Sequence, residues 1–375
     1  MQTKAIAMYL PQYHRIPEND KWWGEGYTDW VAVKSSEPLY KGHIQPRVPL
    51  NDNYYDLSDA DSIRWQAALA GKYGIYGFAI YHYWFSSEQV LLKKPAEIIR
   101  DNEDIDINYF FVWDNNSWTR TWSRIKHNAN SWAPKIDNGI NDGSESLLAK
   151  LEYGDEAEWE KHFDYLLPFF KDSRYIKIDN KPVFSFFNYN DKNTMKKMFD
   201  HWNGLAKESG FAGMYFLGRL NPYDHMEGFD GLFTYEPMFS AWQNKNIINR
   251  VINKVKDILN IDNGPVFYDY DKVWGSILGN AEKCNDTYVM FGGFVDYDDS
   301  PRRGMNSRIV KGASPEKFGK YLKRLIEISD EKNNPFVFIT AWNEWGESAY
   351  LEPDNMQGFD NLEVLSKLSI DETAK

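Results

Sequence analysis

Two glutamates three residues apart, Glu344 and Glu347, stand among Trp342, Asn343 and Trp345 in the run AWNEWGESAYLEPD. Paired carboxyls can share the acid and base work of opening a glycosidic bond. Aromatic faces beside them can stack on sugar rings. An unpaired carboxylate is costly in a core, so the pair belongs at a polar rim or on an exposed loop. The plainer reading is a solvent loop whose acids cap a helix, because an ExxE spacing arises easily by chance. The residues just before the pair weigh against it. Phe336 to Thr340 is apolar, with the length and β-branched content of a buried strand. A buried strand that empties into two acids framed by indoles favours catalysis on a sugar.

Such a pair needs a rim to hold it, and the rest of the chain reads as that rim. Strands are expected at Lys4 to Leu10, Ile75 to His82, Ile107 to Trp113, Pro182 to Phe187, Met214 to Gly218, Gly231 to Tyr235 and Tyr288 to Val295, with Phe336 to Thr340 as the eighth. Helices are expected over Asp59 to Tyr73, Pro95 to Asn102, Glu156 to Lys171, Thr194 to Ser209, Asp271 to Cys284, Pro315 to Asp330 and Phe359 to Lys367. The alternation of strand and helix argues for a parallel sheet with helical crossovers, and eight such units for a closed (β/α)8 TIM barrel. Helix-to-strand joints are short, as at Tyr73–Gly74–Ile75. Strand-to-helix joints are long and aromatic, which places the elaborated loops at the C-terminal face, where barrel enzymes keep their sites. Long excursions run from Asp114 to about Asp155, with Trp118, Trp122 and Trp132, and from Pro237 to about Tyr268, with a helix around Ile247 to Leu259. No internal repeat or linker is visible, so residues 1–375 are read as one catalytic domain.

Strand ends supply the candidates for substrate contact. After the first strand come Tyr9, Gln12, Tyr13 and Trp23. His82 and Trp84 mark the second, and Trp113, Asn115 and Trp118 the third. Tyr235 and Glu236 follow the sixth, Asp296 the seventh, and Trp342 and Asn343 the eighth. Each has a structural alternative. Any one Trp can simply cover the barrel top, a lone His is often a satisfied core group, and Glu236 could pair with Arg219. Together the aromatics make a sugar-sized cleft. Arg302 and Arg303 could hold an acidic sugar or a phosphate, or act as solvated or structural arginines.

Composition bounds the partners. The net charge of −12 argues against nucleic acid and anionic membrane surfaces. No stretch is apolar for long enough to cross a bilayer. The single cysteine, Cys284, rules out an internal disulfide. With an N-terminus unlike a signal peptide, that fits a reducing, cytoplasmic compartment. There is no GxxxxGK[ST], no GxGxxG after the first strand and no HExxH, so no metal or nucleotide cofactor is indicated. The DxD triplets at Asp269 and Asp296 carry little weight in so acidic a chain.

The chain resembles the WbsX-type family, whose members have a domain like glycoside hydrolase family 99. The resemblance runs through YLPQYHRIPENDKWWGEGYTDW from Tyr9, YKGHIQPRVP from Tyr40, YGIYGFAIYHYWF from Tyr73, RYIKIDNKPVF from Arg174, SPRRG from Ser300 and AWNEWGESAYLEPD from Ala341. It implies a (β/α)8 barrel and a retaining, endo-mannosidase-like action on a glycan. In that implied chemistry Glu344 is the base that takes the proton of the substrate's 2-hydroxyl, which displaces the leaving group through a 1,2-anhydro sugar. Glu347 is the acid for the glycosidic oxygen and later the base for water. WbsX-type proteins are also described as glycosyltransferases of polysaccharide or O-antigen building, which is the alternative reading. A weakened sugar-binding protein is a third. The family pattern WANENWTR appears here as WDNNSWTR from Trp113, so Asn116 stands where the family carries an acid.

Overall fold

A computed structural model describes residues 3–119, 147–223, 226–243 and 264–370. Trp122, Trp132 and the helix expected around Ile247 to Leu259 lie outside the described residues. The barrel strands are β1 (Lys4–Tyr9), β2 (Gly77–Ser86), β3 (Asn108–Trp113), β4 (Lys181–Phe186), β5 (Tyr215–Arg219), β6 (Gly231–Phe233), β7 in two pieces (Val289–Met290 and Gly292–Phe294) and β8 (Phe336–Thr340). Neighbours pair in parallel in chain order from β1 to β7, and β8 pairs with β1 from Lys4↔Phe336 to Ala7↔Ile339.

The expected run at Tyr288 to Val295 is broken rather than continuous. Its first piece pairs with β6 at Leu232↔Val289, and its second with β8 at Gly292↔Phe338. Thr234 occupies the break, its hydroxyl accepting the Gly292 N–H at 2.8 Å. The position must be glycine, because an added Cβ would meet the Thr234 carbonyl oxygen at 2.2 Å. The two pieces therefore close the barrel by serving one neighbour each.

Strands here are buried on both faces, as a barrel under helices requires. Rings from strands that are not neighbours meet in the interior. Phe338 of β8 lies 4.8 Å from Phe233 of β6 and 6.3 Å from Phe110 of β3, centroid to centroid. Outside run α3 (Ala60–Lys72), α4 (Lys94–Asp101), α5 (Glu156–Lys171), α6 (Lys192–Glu208), α7 (Tyr270–Lys283), α9 (Pro315–Glu331) and α10 (Asp360–Ile370). Asp59 caps α3 through the Asp61 N–H, and Gly74 reverses the chain just past its end at φ 88°.

The first strand-to-helix joint is long and aromatic, as expected. It holds two short helices, α1 (Pro17–Trp23) and α2 (Asp29–Lys34). The loop after β7 holds α8 (Ser300–Arg303). Among the described residues no helix is long and apolar enough to cross a membrane.

Candidate active site

β8 ends at Thr340 and the chain turns through Asn343, whose side chain locks onto Leu10. The Asn343 oxygen accepts the Leu10 N–H at 2.7 Å and its amide donates to the Leu10 carbonyl at 3.0 Å. That fixes Glu344 at the barrel mouth. A single 3-10 turn, Trp345–Glu347, follows, and residues three apart on such a turn face the same way. Ser348, left-handed at φ 51°, ends it.

Both glutamates meet one guanidinium. Arg302 Nη2 lies 2.7 Å from Glu344 Oε1, and Nη1 donates to Glu347 Oε1 at 3.1 Å. Nη2 also donates to Asp29 Oδ2 at 2.6 Å. Asp29 is steadied by Gln12, whose amide lies 3.0 and 3.1 Å from the Asp29 oxygens when its nitrogen faces them. In that orientation the Gln12 oxygen accepts from the Tyr83 hydroxyl at 3.0 Å. Loss of water pushes the Glu344 carboxyl well above the ordinary carboxylate range, the charges of Glu347 and Asp29 add to the rise, and Arg302 opposes it. Burial raises Asp29 too, against the pull of Arg302.

These groups line a cleft of about 360 Å³. Its aromatic wall crosses the strand ends: Tyr83, Tyr81, Phe187 and Tyr235, with the Tyr81 hydroxyl donating to that of Tyr235 at 3.1 Å. Trp23, Tyr27 and Trp118 form a second wall, with Trp118 edge-on to Tyr83 at 4.9 Å. Asp114 also lines the cleft and accepts from the Trp118 indole N–H at 3.4 Å.

Of the residues expected from sequence, Gln12, Trp23, Trp118, Tyr235, Glu344 and Glu347 line this cleft. The others do not, and side-chain parity explains most of them. His82 pairs in register with Trp113, and both face outward. His82 Nε2 meets His162 Nε2 of α5 at 2.8 Å, and Trp84 stacks on His162 at 4.1 Å. Their neighbours Tyr81 and Tyr83 take the inward face. Tyr9 also points outward, donating to Gln66 of α3 at 2.7 Å. Glu236, one residue past Tyr235, turns away and accepts from Ser240 N–H and hydroxyl at 2.9 and 2.7 Å, not from Arg219.

Tyr13 and Trp342 are fully buried; Trp342 lies 5.3 Å from Phe78, and the Tyr13 hydroxyl accepts the Trp345 N–H at 3.1 Å. Asn115 ties two loops together through the Asn188 backbone. Asp296 pairs with Arg47 at 2.9 Å. Beside it, His43 Nε2 and Gln45 Nε2 both reach Asp298 Oδ2, at 2.6 and 2.9 Å, and Gln45 also donates to Ser348 at 2.9 Å. This latch joins the first, seventh and eighth loops.

Sequence reasoning missed Asp29, Tyr27, Tyr81, Tyr83 and Asp114 as cleft residues, and read Arg302 as a ligand for an external anion or a structural arginine. Asp29 and Arg302 sit inside the distinctive runs EGYTDW and SPRRG, which was the available signal. Among the described residues no group of three or more His, Cys, Asp or Glu side chains is arranged to hold a metal ion.

Known structures share the fold. The structure of the GH99 endo-alpha-mannosidase from Bacteroides thetaiotaomicron superposes with TM-score 0.56 at 14% identity, covering 99% of this chain and 97% of that one. A structure described as a glycoside hydrolase-like protein gives TM-score 0.55 at 14% identity, covering 98% and 94%. At such identity the likeness shows the fold, a (β/α)8 barrel of the family 99 kind. Uncharacterized protein WxcX of Xanthomonas campestris pv. campestris is 28% identical over 367 residues, 96% of this chain and 48% of that protein. The chain thus spans about half the length of the curated relatives it matches. The family model described as glycosyltransferase WbsX matches residues 5–365, and the chain belongs to that family.

Proposed function

We propose that this protein acts on a glycan, breaking or transferring a glycosidic bond in an endo-mannosidase-like, retaining reaction, with Glu344 and Glu347 as the working pair. The observation that carries the reading is the convergence of both carboxyls on one guanidinium in an aromatic-walled cleft. Burial, with the charges of Glu347 and Asp29, raises the Glu344 carboxyl against the pull of Arg302, so it holds a proton more tightly than an ordinary glutamate. The reaction needs one proton shared over the glutamate pair.

In the first step the Glu344 carboxylate takes the proton of the sugar's 2-hydroxyl. That oxygen attacks the anomeric carbon, the glycosidic bond breaks, and Glu347 gives its proton to the leaving oxygen. A 1,2-anhydro sugar remains. In the second step water, or an acceptor hydroxyl, attacks the anomeric carbon while Glu347 takes its proton. The three-membered ring opens and its oxygen recovers the proton from Glu344. Two displacements return the starting configuration. The raised pKa of Glu344 makes its ionised form a stronger base than an ordinary glutamate, which suits a weakly acidic hydroxyl.

The family's description favours a second reading, transfer from a nucleotide sugar. Such a donor brings a diphosphate. Among the described residues lining the cleft Arg302 is the only Lys or Arg, and it is committed to three carboxylates. That supports the glycosidase-like chemistry over the nucleotide-sugar route.

The test is a screen of surface-type oligosaccharides with wild type, E344Q and E347Q side by side. Each variant should lose about a hundredfold or more in turnover. Full activity in E347Q on the true substrate would remove the acid role. Tight calorimetric binding of a nucleotide sugar would favour the transferase.

A further inference from the structure

Glu344 caps a single 3-10 turn, Trp345–Glu347, that ends in Glu347, and both carboxyls reach the same guanidinium, so their like charges stand close together. Something must hold them together and at a fixed separation. Arg302 reaches both through different nitrogens, Nη2 to Glu344 at 2.7 Å and Nη1 to Glu347 at 3.1 Å. Only a planar fork can do this, since a lysine offers one point charge. Arg302 comes from α8 in the seventh loop, the glutamates from the eighth. A third element, α2 in the first loop, supplies Asp29 to the same guanidinium at 2.6 Å.

An independent observation lies between the glutamates. Gly346 packs against the guanidinium, and a Cβ there would meet Arg302 Nε at 2.6 Å, Cζ at 2.9 Å and Nη2 at 3.0 Å. Its φ lies outside the left-handed region, so glycine is needed for room rather than for backbone freedom. Of the two residues between the acids, Trp345 and Gly346, the second is small because the arginine lies across it.

We propose that Arg302 is a positioning residue, one guanidinium that sets the spacing and charge of Glu344 and Glu347, seated by Asp29 and given its place by Gly346. This rests on the reading of the glutamates as the working pair. The charged and titratable groups facing Arg302 are Glu344 and Glu347 from the eighth loop, Asp29, Tyr13 and Tyr27 from the first, and Tyr235 at the end of the sixth strand. With Asp29 holding one edge, the guanidinium cannot collapse onto a single glutamate.

The test uses R302K, R302A and G346A in the full chain. On a glycan that wild type turns over, R302A should lose on the order of a hundredfold in kcat with little change in KM. R302K should recover part of the loss. G346A, which removes no charge, should lie between R302A and wild type. A second readout needs no substrate: titration of ¹³C-labelled glutamate carboxyls by NMR. In R302A the buried carboxyl should titrate about one pH unit or more higher than in wild type. Added guanidinium should bring it back.

Unchanged titration in both R302A and G346A, or kcat within about threefold of wild type in both, would overturn the proposal. If R302A fails to fold, R302K and G346A decide. If wild type turns over no glycan, the functional reading falls while the titration still tests Arg302.

Discussion

Glu344 loses its water to the barrel mouth, and its carboxyl is held above the ordinary value of 4.5 mainly for that reason. In the proposed reaction Glu344 is a base, which acts only when ionised, so turnover should rise as pH climbs through the raised value. The acid limb of kcat/KM should therefore sit above pH 4.5 in wild type. A limb at or below that pH would contradict the role of Glu344. Away from the cleft, two buried sets of groups oppose each other. His82 is pushed from 6.5 to about 3 by burial, and His162 is also lowered well below 6.5 by burial and by its neighbour His82. The unfolded chain takes up these protons first, so their contribution is full above pH 6.5 and is lost as pH falls. Glu236 is raised from 4.5 to about 7 by burial, so its contribution is full below pH 4.5 and is lost as pH rises through 7. Between pH 7 and 5 it offsets the imidazoles. E236Q removes the offset and should lose about 2 kcal/mol more than wild type on going from pH 7 to pH 5, read by urea unfolding. At this scale the place of Glu344 and Glu347 in the cleft was legible, because an apolar strand empties directly into them. Asp29 and Arg302 were not, because an ion pair between residues 29 and 302 exists only once loops one and seven meet.

Strand parity decides which side chains a substrate can touch. β2 runs on to Ser86, beyond the end expected at His82, and along it Tyr81 and Tyr83 face the cleft while His82 and Trp84 face α5. Neighbouring positions should therefore respond oppositely. Tyr83→Ala should raise KM about tenfold with a near-native melting temperature, since it removes cleft wall and the contact to Gln12. Trp84→Ala should cost about 3–5 kcal/mol of stability with KM near wild type, read by denaturation and kinetics together. Strand positions themselves were readable, because buried parallel strands are continuous apolar runs ended by polar residues. Their facing was not. A run apolar on both sides carries no alternation, so aromatic and polar residues at its end give no sign of inside or outside. The helices α1 and α2 were missed for a related reason: six or seven residues are too few for a helical period to show.

Across the whole molecule, acid outweighs base in the sequence, and the described lining of the cleft repeats that bias, with Asp29, Asp114, Glu344 and Glu347 against Arg302. A glycan carrying a uronic acid should bind more weakly than its neutral counterpart, and the gap should narrow as salt is raised. Calorimetry on a matched pair at two ionic strengths reads this, and equal affinity at low salt would refute it. The barrel was legible at this scale, since eight strand-helix units with long loops at one end allow few other arrangements. What could not be read was how the circle shuts, with β7 split so that each piece serves one flank.

That closure has a consequence for how the protein is made. β1 finds its second neighbour only in β8, and the latch of His43 and Gln45 waits for Asp298 and Ser348. A ribosome that has finished the sixth strand has produced most of the wall, yet Arg302 and both glutamates are still to come. Until they emerge, β1 presents a bare edge open to the wrong partner. Nascent chains stalled before residue 336 should be sticky, protease-sensitive and inert, and competence should arrive in one late step.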